Sequence, residues 1–129
     1  MAFGRGSPLS MKTEVRKVGS TSVLSISGKV TVGEPSQTLR AALDQLVLDG
    51  SNQIVLNLSD VPFMDSAGLG VLALNFANTK AAGGMLKLAE PQERVKEAVE
   101  LVRLNRLFPL YATEQEAIDS FSDNAAPSP

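Results

Sequence analysis

The chain has 129 residues, 43% hydrophobic and 20% charged, with a formal net charge of −2. That length and balance suit one globular domain with a core of its own, and the charge gives no nucleic-acid footprint. It has no Cys and no His, which removes disulfides, thiolate nucleophiles, the commonest metal ligand and the usual general base.

Residues 1–10 are rich in Gly, Ser and Pro and lack the apolar run of a signal peptide. They are read as a flexible N-terminal segment, and residues 11–121 as the domain. No apolar stretch approaches the roughly 20 residues that span a bilayer, so a cytoplasmic protein without membrane contact is expected. Lys12 to Val18 reads as a charged edge strand, Gly19-Ser20 as a turn, and Ser22 to Gly28 as a second strand closing a hairpin. After the connection Gly28–Gly33, Pro35 opens a helix running to about Asp49. Leu39, Ala42, Leu43, Leu46 and Val47 fall at helical spacing, and Gly50 ends it.

Gln53 to Leu58 is an apolar strand of the kind covered on both faces. A second helix runs to about Ala82, stopped by Gly83-Gly84, and Met85 to Leu88 is the next strand. Pro91 starts a third helix with Val95, Ala98, Val99 and Val102 inward. Glu90–Arg94 and Lys96–Glu100 are expected as pairs four residues apart. Phe108 to Tyr111 suggests a short edge strand. Thr113-Glu114-Gln115-Glu116 is a capping box before a last helix carrying Ala117, Ile118 and Phe121, and 122–129 reads as a flexible tail. Two strands followed by helix–strand alternation predict an α/β domain: a mostly parallel four- to five-stranded sheet, an N-terminal edge hairpin and about four helices.

Function in such sheets gathers past the carboxyl ends of the strands. There lies Val61-Pro62-Phe63-Met64-Asp65-Ser66-Ala67-Gly68-Leu69-Gly70. Asp65 and Ser66 suit a helix start, where side-chain oxygens accept bonds from unpaired N–H groups. The same N–H groups and the helix dipole could receive a phosphate, so Ser66 is either a cap or a switch. Gly68-Leu69-Gly70-Val71-Leu72-Ala73 matches G-x-G-x-x-A with Glu90 downstream, but the first glycine of a dinucleotide fingerprint follows its strand directly and Gly68 does not. Its glycines are read instead as letting the helix start approach the sheet or a partner. Ser66 has no His and no G-x-S-x-G elbow; Lys80 is several turns away, and Lys29 and Lys87 are the remaining basic candidates. Asp60 and Asp65 are read as turn and cap residues. Leu69, Leu72, Ala73 and Phe76 make an apolar stripe. Val71, Leu74 and Asn75 either widen a buried face or edge a partner surface.

The run Val55 to Leu58, the Asp65-Ser66-Ala67-Gly68-Leu69-Gly70 core and Gly83-Gly84 before Met85-Leu86-Lys87-Leu88 together resemble the STAS-domain family, specifically the anti-sigma-factor antagonists, from about Met11 to Phe121. The resemblance implies a non-enzymatic switch without cofactor or metal. An anti-sigma factor with Ser kinase activity would phosphorylate Ser66, with Asp65 as the supporting acid. The unphosphorylated form would bind that anti-sigma factor and free the sigma factor, and a metal-dependent Ser/Thr phosphatase would reset it. The expected partner-binding residues are Asp65, Ser66, Gly68, Leu69, Val71, Thr31 and Glu34. Where many members carry G-x-L-D after the second strand, this chain has Gly28-Lys29-Val30-Thr31, so Thr31 or Glu34 takes the place of that acid. The alternative reading is a STAS scaffold module in another regulatory or transport-related complex, without obligatory phosphorylation.

Overall fold

The computed structural model describes residues 11–125. Strands β1 (Lys12–Val18) and β2 (Thr21–Ser27) form the hairpin, helix α1 (Glu34–Leu48) follows, and then β3 (Gln53–Asp60), α2 (Ser66–Ala81) and β4 (Met85–Ala89). Helix α3 (Glu93–Leu101), a 3-10 turn (Leu104–Arg106), β5 (Leu110–Tyr111) and α4 (Glu114–Ala125) complete the chain. The sheet order is β1-β2-β3-β4-β5, antiparallel only between β1 and β2. This is the predicted α/β architecture.

Alternation along the strands sorts side chains onto two layers. Leu24, Ile26, Ile54, Leu56, Leu58, Leu86 and Leu88 face the main core, where Leu39 and Leu43 of α1, Leu72 and Phe76 of α2, and Val95 and Val99 of α3 pack on them. The opposite face is smaller: Val23, Val55 and Ala89 meet Ala117 and Phe121 of α4. The one polar interruption of β3's apolar run, Asn57, points to this second face and donates to Glu114 at 2.8 Å.

Several boundaries differ from the expectations. β3 continues to Asp60, because a register shift between Ser25 and Ser27 lets Ser27 pair with Asp60. α3 starts at Glu93 rather than Pro91 and ends with Val102 as its C-cap, 49% exposed and not inward. α4 continues to Ala125, into the stretch expected as tail; residues 1–10 and 126–129 lie outside the described residues. The expected Glu90–Arg94 and Lys96–Glu100 pairs do not form. Glu90 instead accepts the Glu114 N–H at 2.8 Å, capping α4, and Arg94 lies over the Phe63 ring at 5.3 Å. The ion pairs among the described residues are Arg16–Glu114 at 2.5 Å and Arg40–Asp44 at 3.7 Å. Burial of its carboxyl would raise the pKa of Glu114, but hydrogen bonds from Arg16 and Asn57 and the charge of Arg16 outweigh it and hold the group below its ordinary value.

Candidate functional site

Asp65 organises the site. It is the N-cap of α2, in extended conformation, and its Oδ1 accepts from the N–H groups of Ala67 at 2.9 Å and Gly68 at 3.1 Å. These are donors that a helix start leaves without intrahelical partners. Its Oδ2 reaches across to the β2–α1 connection and accepts the Val32 N–H at 3.0 Å. The backbone repeats the link: Val30 N–H bonds the Phe63 carbonyl at 3.0 Å, and Asp65 N–H bonds the Val30 carbonyl at 3.1 Å. Val30 and Met64 form an isolated parallel bridge. The 28–34 loop and the start of α2 are therefore one fastened unit, not two neighbouring loops.

Gly68 explains why they can be fastened. A Cβ there would meet the Met64 Cγ at 2.5 Å and the Val30 Cγ1 and carbonyl oxygen at 2.9 Å. Val30 has threaded under the helix start, and only a residue without a side chain leaves room for it. Gly70, in contrast, is exposed with nothing near its Cβ position.

The expected site residues sort by depth. Ser66, first residue of α2, is exposed; Asp65, Val71 and Thr31 are partly exposed; Glu34 is exposed. Gly68 and Leu69, expected among the partner-binding residues, are buried. Asn75 is no edge of a partner surface either. It is fully buried between α1 and α2, donating to Asp44 at 2.7 Å. The 28–34 loop is expected on the partner-binding face as a whole, without Val32 being singled out; Val32 is 74% exposed at the tip of the fastened loop. Val32 follows the residues that matched the motif, and nothing in its local pattern separates an outward valine from an inward one.

The helix start is not vacant. The N–H groups of Ala67 and Gly68, expected as a phosphate seat, are already held by Asp65. A phosphate on Ser66 would thus find these two donors taken by a neighbouring carboxylate. Among the described residues no helix is long and apolar enough to cross a membrane.

A family model, the STAS domain, matches residues 12–117. A Thermotoga maritima protein provisionally named an anti-sigma factor antagonist is 36% identical over 76 residues, covering 59% of this chain and 67% of the relative. The anti-sigma-B factor antagonist of Bacillus subtilis is 27% identical, with 85% of this chain and 99% of the relative covered. The crystal structure of an anti-sigma factor antagonist from Mycobacterium paratuberculosis superposes with a TM-score of 0.80 at 28% identity, over 90% of this chain and 97% of that one.

Proposed function

The chain belongs to the STAS domain family, and from that premise we propose that it is an anti-sigma-factor antagonist switched by phosphorylation of Ser66. Unphosphorylated, it binds an anti-sigma factor with Ser kinase activity and so releases the sigma factor. Phosphorylated on Ser66, it lets go, and a metal-dependent Ser/Thr phosphatase returns it to the binding state. The names of its relatives support the class of partner. The observation that carries the switch is the placement of an exposed Ser66 beside Asp65, whose carboxylate already occupies the helix start.

The mechanism is electrostatic. A phosphoryl group adds about −1.5 to −2 charges at neutral pH. With Asp65 holding the Ala67 and Gly68 N–H groups, that charge loses two of the donors a helix start offers and lies next to another anion. Thr31, Val32, Glu34, Ser66 and Val71 form the surface that a partner covers, with Asp65 fixing their relative positions from beneath. Burying an unpaired dianion in such a contact costs several kcal/mol, and about 1.4 kcal/mol already changes an affinity tenfold. The domain need not refold for the switch to work.

The test is titration of the Ser66→Ala and Ser66→Glu variants against the kinase-type anti-sigma factors of the same cell. Ser66→Ala should bind one of them as the parent does, and Ser66→Glu at least about tenfold more weakly. Equal binding by both would remove Ser66 from the contact and overturn the reading.

A further inference from the structure

Among the described residues the outer edge of β1 is a long unpaired strand edge, and its residues are matched to themselves. β1 is terminal in the sheet, seven residues long, and pairs with β2 one to one without a bulge. The opposite edge, β5, has two residues. Edge strands are commonly blunted by shortness, proline or bulges; Lys12-Thr13-Glu14-Val15-Arg16-Lys17-Val18 has none of these and relies on charge alone.

We propose that β1 pairs antiparallel with β1 of a second copy of this chain, about a two-fold axis through Val15. This register places Glu14 opposite Arg16, Thr13 opposite Lys17, Lys12 opposite Val18 and Val15 opposite itself, and it uses the whole strand. Moving the axis to Glu14 sets Glu14 on Glu14 and Lys12 on Arg16. Moving it to Arg16 sets Arg16 on Arg16. Opposite charges across a strand pair stabilise it and like charges oppose it, so the charge pattern selects the Val15 register over both neighbours. Val15 is 50% exposed and sits opposite Leu24 of the main core. Its self-contact would extend that core across the axis. Arg16 gives its Nη2 to Glu114, and a guanidinium has further N–H groups for Glu14 of the second copy. The contact is isologous, as a two-fold requires, and uses no residue of the Ser66 surface, so the pair would present two such surfaces.

The chain has no Cys, so single thiols report the register directly. Facing residues in an antiparallel pair have Cα atoms about 4.5–5.5 Å apart, within disulfide reach. Val15→Cys should cross-link to itself on mild oxidation. Thr13→Cys and Lys17→Cys should each stay uncross-linked alone and join when mixed. By sedimentation, the parent should dimerise with rising concentration, and Glu14→Arg and Arg16→Glu should each be monomeric. Their equimolar mixture should dimerise, because each charge again meets its opposite. Circular dichroism checks folding, and the cysteine series carries the test should Arg16→Glu, which loses Glu114, fail to fold. A parent that stays monomeric at millimolar concentration would overturn the proposal. So would a dimer that survives both charge reversals, or Thr13→Cys cross-linking to itself as readily as Val15→Cys.

Discussion

Asp65 acts at both ends of its carboxylate, and its removal should be felt at both. An N-cap carboxylate contributes about 0.5–2 kcal/mol, so Asp65→Ala should be less stable by that order in a thermal melt. The same change frees the Val32 N–H. Hydrogen exchange at the Val32 amide should therefore accelerate more than global destabilisation accounts for, and parallel change at all amides would contradict the fastening role. Glu114 supplies the pH dependence. Its folded pKa lies below the ordinary 4.5, so the unfolded chain takes up the proton first as pH falls. Its contribution is complete above the unfolded value and is lost as pH falls through the folded one. Melting curves from neutral to acid pH should show Glu114→Gln less stable than the parent at neutrality, with the gap closing at acid pH. A gap that stays constant would mean that the carboxylate charge is not what Arg16 and Asn57 hold.

At the scale of the element, α2 shows what a motif hides. In the sequence Gly68 and Gly70 read as one G-x-G unit; in the fold they face opposite ways. Gly68→Ala forces a methyl into Met64 and Val30, an overpacking that costs typically about 1–3 kcal/mol. Gly70→Ala meets open space and relieves a helix of glycine, a gain of roughly 0.5–1 kcal/mol. Thermal melts of the two variants should move in opposite directions, and a shared loss would mean that Gly70 too is needed for close approach. The spacing signals close approach by glycine. Which glycine makes it depends on Val30, a residue of the β2–α1 connection far from Gly68 along the chain, so no local pattern singles out Gly68 over Gly70.

At the scale of the molecule, the order of the elements is legible, because strand and helix periodicities alternate clearly from β1 to α4. The Asp65–Ser66 start of α2 is legible too, from the residue types that helix starts favour. What escapes are contacts made across the chain. Glu90 has the spacing to pair with Arg94 on α3 and instead caps α4. Asn75 fits either a buried face or a partner edge by its spacing, and only its place against Asp44 decides for the buried one. Val102 fits the inward spacing of α3, but the helix has ended by then. Each depends on which element packs alongside, and one-dimensional spacing carries no such information.

On the proposed reading, Ser66 is the phosphate acceptor whose modification ends partner binding. Intact-mass measurement and gel filtration, after incubation with ATP and each kinase-type anti-sigma factor of the same cell, test it most directly, with Ser66→Ala alongside. The expected result is a single added phosphate, absent from Ser66→Ala, and loss of the complex as it appears. A stable complex with no transfer, or a phosphate that Ser66→Ala still accepts, would contradict it.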